Sequence, residues 1–203
     1  MSPDDRDIFE LELLRVLKLA ASKFDGVTAS KNKLKFKYNK KNVAELFFEH
    51  LSRVDSYILG GMVYGGAIFE CSSKFAPPYK SNLFNESCFS FISSGEQDKK
   101  LSGNLGGAIK TPAPNVVGEV CAHIQAVLED FYIPKILACI SPTNRTITDV
   151  LSSPDDYAYS AVFIHCAASL SRGERLVDLS EALKSKKIVK NKDYDIPLLT
   201  SLI

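Results

Sequence analysis

Residues Lys33-Leu34-Lys35-Phe36-Lys37-Tyr38 alternate a lysine with a bulky apolar side chain without a break. Successive side chains of a strand point to opposite faces, so a period of two requires a strand with one dry and one wet face. In a helix the same lysines would be spread around the cylinder and no clean apolar stripe would form. The preceding segment carries a different period. Phe9, Leu13, Val16, Leu17, Ala20 and Phe24 fall on one face at helical spacing. Ser2-Pro3-Asp4-Asp5 supplies a capping hydroxyl, a proline suited to the first helical position and early negative charge. This predicts a helix over 3–24 that stops at Gly26, where a left-handed backbone costs glycine little. Ser30-Lys31-Asn32 reads as a turn, so Val27–Ala29 is expected to pair with the lysine strand as a hairpin.

Farther along, Asn42 and Glu45 form a capping pattern, and Val43, Phe47, Leu51 and Val54 share a helical face, which predicts a helix over 42–54. Tyr57–Tyr64 and Ala67–Cys71 read as a strand pair interrupted by Gly60-Gly61 and Gly65-Gly66, and Cys88–Ile92 as another short strand. Ser93 to Pro114 contains four glycines and two prolines, and a connection of that length is expected to be functional or mobile. Val116–Tyr132 reads as a helix with a kink or break near Pro134. Ser153-Pro154-Asp155-Asp156 repeats the N-terminal cap and opens a helix to about Leu170; Gly173 then ends it and Glu174–Lys187 follows as another. Strands clustered early and helices late point to an α+β fold: an N-terminal helix, a small antiparallel sheet and a helical C-terminal half. At 203 residues the expectation is a single domain over 1–203, with a helix-and-sheet part over 1–92, a flexible loop over 93–114 and a helical part over 115–203.

The composition narrows the function classes. A formal net charge of +1 fits neither a strongly basic nucleic-acid binder nor an acidic nucleic-acid mimic. The odd number of cysteines, five with no CxxC pair, argues against a secreted disulfide framework. The acidic N-terminus lacks a signal-peptide pattern, and the stretch Tyr57–Phe69 is too short and glycine-rich to span a bilayer. The expected setting is therefore the cytoplasm, with no membrane association.

The residues able to carry chemistry are scattered. Gly103-Asn104-Leu105-Gly106-Gly107-Ala108-Ile109-Lys110 fails the phosphate-loop pattern, because Ala108 and Ile109 separate the lysine from the glycines. His50, His123 and His165 lie on predicted helices, and neighbours such as Cys121/His123 and His165/Cys166 do not face one another there. A site assembled in space, such as Cys88 with His165, stays open. No ligand spacing for zinc is present, so neither metal nor cofactor is expected. Asp4-Asp5 and Asp155-Asp156 are explained by helix capping, and Asp193-Tyr194-Asp195 reads as a solvated polar tail.

The lysines are the most pointed feature. Lys33, Lys35, Lys37, Lys40 and Lys41 could follow a phosphate backbone, yet the alternation puts the aromatics on the opposite face, where they cannot stack on bases. The plainer reading is an edge strand guarded by lysines. A basic strand can also meet an acidic protein surface.

Leu13-Leu14-Arg15-Val16-Leu17 running into Lys33-Leu34-Lys35-Phe36-Lys37-Tyr38 is similar in layout to small bacterial cytosolic immunity proteins, which partner contact- or secretion-delivered toxins. The resemblance covers roughly the first third of the chain. It implies tight binding and inhibition of a cognate toxin, with no catalysis. Inhibitors of nucleases are commonly acidic, so the near-neutral charge points away from a nuclease partner. The expectation is a non-catalytic protein-binding module, with Lys33, Lys35, Lys37, Lys40 and Lys41 as the primary partner surface and Gly106, Gly107 and Lys110 as a second. The alternatives are a nucleic-acid-binding accessory protein and an enzyme with a spatially assembled Cys/His site.

Overall fold

The apolar face Phe9, Leu13, Val16, Leu17 and Ala20 is buried to 1% exposure or less on helix α1 (Pro3–Ala21). The computed structural model describes residues 3–93, 98–101, 106–171 and 179–202, and side chains from residue 5 onward. Helix α1 ends three residues before Phe24, and the chain turns through Gly26, which has φ +76°. Strands β1 (Val27–Ser30) and β2 (Lys33–Tyr38) form the expected antiparallel hairpin.

The next segment is β3 (Lys41–Leu51), a strand where the spacing predicts a helix. Both periods are written in these residues. Val43, Phe47 and Leu51 satisfy the helical one, while Ala44, Leu46 and Phe48 satisfy a period of two and are each 1% exposed or less. The hairpin decides between them. Asn39 and Lys40 adopt φ of 49° and 66°, as a two-residue type I′ turn requires, and this lays β3 antiparallel on β2. Strand β4 (Ser56–Val63) follows. Residues 67–71, expected as a strand, instead form helix α2 (Ala67–Ser72), opened by the Glu70 N–H donating to the Gly66 carbonyl at 2.9 Å. Strands β5 (Phe89–Ile92) and β6 (Ile109–Lys110) complete a six-stranded sheet of order β1-β2-β3-β4-β5, with β6 also on β4.

Helix α3 (Val117–Val127) does not break at Pro134. It passes through one π turn (Leu128–Tyr132) into α4 (Ile133–Ile140). A proline has no N–H to give the preceding turn, and a wider turn accommodates that loss. Helix α5 (Thr146–Ser152) was not expected from the spacing. The cap at Ser153 opens only a 3₁₀ turn, Pro154–Asp156, and α6 (Ser160–Leu170) starts afterwards. Of the helix expected over 174–187, Ser180–Lys184 is helical (α7); Gly173 and residues 174–178 lie outside the described residues. The tail expected to be solvated is helix α8 (Lys192–Thr200).

The fold is α+β, with the N-terminal helix, the small antiparallel sheet and several helices in the C-terminal half. The chain divides into two compact units that are not the sequential parts 1–92 and 115–203. The first comprises residues 1–61 and 91–134, the second residues 62–90 and 135–203. In the first unit α1 packs on α3 and on β1, over an inner sheet face made by Leu34, Phe36, Ala44, Leu46 and Phe48. In the second, α6 is buried nearly all round (Ala161, Val162, Phe163, Ile164, Cys166 and Ala167), as suits a central helix contacted by α2, α5 and α8.

The described parts of the segment 93–114 are anchored within the first unit. The Ser93 N–H donates to the Leu59 carbonyl at 2.8 Å, and the Ser93 hydroxyl donates to the Gly107 carbonyl at 3.0 Å. Gly107 has φ +80°, and a methyl group there would overlap the Ser93 and Asp98 carbonyls. Gly107→Ala should therefore cost about 3 kcal/mol, from the left-handed backbone plus overpacking, read as a lower urea midpoint. A loss below about 0.5 kcal/mol, the size typical of an unconstrained surface position, would show that the contact is not held.

Candidate functional site

Lys33, Lys35 and Lys37 stand on a strand flanked on both sides, by β1 and by β3. The lysines therefore do not guard an edge, as the plainer reading supposed. The β2 backbone is spent on its two neighbours, and only its side chains are available for recognition. Leu34 and Phe36, between the lysines, are 1% and 0% exposed on the inner face. The lysines consequently share the outer face.

The register shows what stands beside them. Thr28 lies opposite Lys35 on β1, and Glu45 lies opposite Lys35 on β3. Phe47 lies opposite Lys33. The Lys33 ammonium is 3.4 Å from the Glu45 carboxylate and 6.0 Å from the centroid of the Phe47 ring. Beneath that ring is Gly60 of β4, where any Cβ would overlap it; the glycine lets an aromatic lie flat on the backbone. The outer face thus combines lysines, one central carboxylate and one half-buried aromatic. Such an ion pair, with side chains 42% and 20% exposed, contributes at most about 1 kcal/mol to folding.

Sequence reasoning missed Glu45 and Phe47 because it placed them on a helix. The signal that could have found them is the short polar break Asn39-Lys40 between two runs that both tolerate alternation.

The other expected site residues separate into two groups. Lys40 and Lys41 are exposed at the turn that ends the basic row, but Lys41 stands opposite Tyr38 and so belongs to the other face. Gly106, Gly107 and Lys110 do not join the row. Lys110 lies on β6, opposite Ser56 of β4, three strand spacings from β2, or about 14 Å. Gly107 is tied into the packing described above, and Gly106 has φ +63°, so both glycines serve the turn into β6.

A linked polar cluster lies in the same unit. Arg6 pairs with Glu10 at 2.7 Å, and the Tyr57 hydroxyl donates to Glu10 at 2.7 Å. The His50 ring lies 4.8 Å from that of Tyr57, and His50 Nε2 is 3.2 Å from Asp55 Oδ1. Thr111 closes the chain, its hydroxyl donating to Asp55 Oδ1 at 2.8 Å and its N–H to the Asp55 carbonyl at 3.0 Å. Burial raises Glu10, but the Tyr57 hydroxyl and Arg6 together outweigh it and hold the carboxyl below its ordinary range. The Thr111 hydroxyl, then His50, lowers Asp55. Burial and Glu10 push the Tyr57 phenol up, so it stays a proton donor. This is a strut between α1, β4 and β6.

Four of the thiols are set against nucleophilic use. Burial pushes Cys88 and Cys121 up to about 12, and Cys139 and Cys166 up as well. Only the thiolate attacks, and these environments oppose its formation. The Cys88 thiol donates to the Val63 carbonyl at 3.5 Å, while His165 Nδ1 is 3.0 Å from the Leu198 carbonyl. Each side of the Cys88–His165 pairing is thus engaged by backbone.

Asp195 corrects the expectation of a solvated tail. It is 0% exposed and accepts from the Tyr79 hydroxyl at 2.7 Å and from the N–H groups of Lys190 and Asn191 at 2.8 Å. It lies in the first turns of α8 and ties down the N–H groups that precede the helix, and its burial withholds it from solvent.

Among the described residues, no group of three or more His, Cys, Asp or Glu is placed to hold a metal ion. No helix among them is long and apolar enough to cross a membrane. No family model, curated protein or solved structure matches the chain.

Because Glu10 and Asp55 have lowered folded-state values, their stabilisation is full above the ordinary carboxylate range and is lost as pH falls through and below it. The melting midpoint should stay level from pH 8 to 6 and drop below about pH 4.5. Glu10→Gln should lower the midpoint near pH 7 and flatten that acid limb. An acid limb identical in slope to that of the unchanged protein would show that Glu10 is not stabilised by folding.

Proposed function

We propose that the chain is a non-catalytic protein-binding module that engages its partner through the outer face of β2 and β3. The observation that carries this reading is the placement of Lys33, Lys35, Lys37, Glu45 and Phe47 on one sheet face, around an aromatic seated on a glycine. Aromatic side chains are enriched at the centres of protein interfaces. The basic row would speed association with an acidic surface and fix its orientation. The specific form of the proposal is an immunity protein that binds and neutralises a cognate bacterial toxin in the cytoplasm, supported by the similarity in layout of α1 and the lysine hairpin.

Nucleic-acid binding is the second reading, and Phe47 favours it more than the bare alternation does, since it supplies an aromatic on the lysine face. Glu45 decides against it. A carboxylate opposite Lys35 and 3.4 Å from Lys33 neutralises the centre of the row and repels a phosphate backbone.

The test is native capture of the tagged chain from its own cells, before and after induction of adjacent genes, alongside a variant carrying Lys35→Gln and Lys37→Glu. These substitutions spare the Lys33–Glu45 pair, so the melting midpoint should move by no more than about 3 °C. One stoichiometric protein partner is expected, bound at least about tenfold more weakly by the variant, and co-expression of the chain should relieve growth arrest caused by that partner. Capture of nucleic acid alone, with affinity falling steeply in salt, or a partner indifferent to both substitutions, overturns the proposal.

A further inference from the structure

The second unit holds a cavity that the proposed interface does not use. It has a volume of about 300 Å³, which suits a ligand with one ring and a short stem. Three half-exposed aromatic side chains wall it: Phe69 on α2, Phe75 just beyond α2, and Tyr159 at the start of α6. Phe163 and Cys88, both buried, line it more deeply.

Three of these rings are fixed by other rings. Phe75 meets the His165 ring edge-on at 5.3 Å, Tyr159 meets Tyr79 at 5.7 Å, and Phe163 meets Tyr157 at 4.6 Å. The aromatic wall is therefore preorganised, and a ligand would not have to order it on binding.

Most polar groups of the cavity are matched to a proton donor. The Ser72 hydroxyl gives its hydrogen to the Phe69 carbonyl at 2.9 Å, and that of Ser73 to the Glu70 carbonyl at 3.0 Å. The Ser87 hydroxyl gives its hydrogen to Asn85 Oδ1, and the Cys88 thiol is committed to the Val63 carbonyl. What these groups leave facing the cavity is lone pairs. Ser81 and Asn85 differ: the Ser81 oxygen accepts from the Leu83 N–H at 3.0 Å, which leaves its own hydrogen, and the Asn85 side-chain oxygen accepts from Ser87, which leaves its amide N–H groups as donors. One charged residue lines the cavity, Glu86, and no lysine or arginine does. No ion pair among the described residues engages Glu86. Aromatic faces, a carboxylate and oxygen lone pairs are all electron-rich, and together they select against anions.

We propose that this cavity binds an organic ammonium ion on an apolar stem, the stem lying among Phe69, Phe75 and Phe163 and the cationic head at the rim between Glu86 and the Tyr159 ring. The cation–π attraction of the rings and the charge of Glu86 act on the same head group.

The probe is 2-phenylethylammonium, titrated into the full chain and followed by amide and side-chain shifts of Ser72, Ser87 and Tyr159. Phenylacetate and 2-phenylethanol are the controls, as they keep the ring and stem while reversing or removing the charge. N-acetyl-lysine methylamide tests whether the cation comes on a peptide instead of a free amine.

Saturable binding of the ammonium ion is expected, at least tenfold tighter than that of phenylacetate. Glu86→Gln should weaken the ammonium ion about threefold or more and leave 2-phenylethanol unchanged. Glu86 is exposed, so that variant should fold. Tyr159→Leu should weaken the cation more than the alcohol. Tighter binding of the lysine amide than of the free amine supports the same chemistry and assigns its source to a peptide. Equal binding of phenylacetate, indifference to Glu86→Gln, or no saturation below about 10 mM, well short of useful affinity, overturns the proposal.

Discussion

The pairing of β2 with β3, set by the Asn39–Lys40 turn and a one-residue bulge, fixes which way every side chain on the sheet's first half points. Side chains alternate with a period of two, so a slip of one residue would exchange the two faces of β3. Ala44, Leu46 and Phe48 would then meet water, and Glu45 and Phe47 would enter the core beneath α1. A one-residue bulge prevents this. The I′ turn sets Tyr38 opposite Lys41 and Lys37 opposite Asn42, a register that would place Glu45 opposite Leu34 if carried on; the shift between Phe36 and Lys37 instead pairs Phe36 with Ala44 and Leu34 with Leu46. The second turn is held from β3 itself, with the Phe48 N–H donating to the Asn32 carbonyl at 2.9 Å. The mixed lysine, glutamate and phenylalanine face is thus a consequence of the turn and the bulge together.

Much of the first unit was legible in the sequence because its signals are local. Helix α1 and strand β2 each show a single period with no competing one, and the Val27–Ser30 hairpin partner follows from a short polar turn. The segment 41–51 was misread because Val43, Phe47 and Leu51 fit a helix while Ala44, Leu46 and Phe48 fit a strand. The Asn39–Lys40 turn and burial against distant residues together choose between these, and burial is not local information. The same holds at residues 67–71, where the sequence offers a short apolar run that either state can use.

The candidate sites divide along the same line. The lysine row was readable, since it is the wet face of an unambiguous strand. Its companions Glu45 and Phe47 were not, because they arrive by cross-strand pairing. The cavity of the second unit was invisible for a stronger reason. Phe69, Glu86 and Tyr159 come from well-separated segments, and no spacing rule joins them. Asp195 shows the converse error: a polar-looking Asp-Tyr-Asp run conceals a buried carboxylate, because its partners Tyr79, Lys190 and Asn191 hold it at the start of a helix.

The interleaving of the two units has a consequence for the order in which the chain can fold during synthesis. Residues 1–61 find the rest of their unit in 91–134, whereas residues 62–90 are made before any of 135–203 that complete theirs. At ribosomal rates of roughly 5–20 residues per second, α2 and the phenylalanines beside it wait for several seconds without α6 to cover them. An apolar segment left in that position is a natural client for a chaperone that holds nascent chains. The first unit, by contrast, has all its parts once residue 134 has emerged.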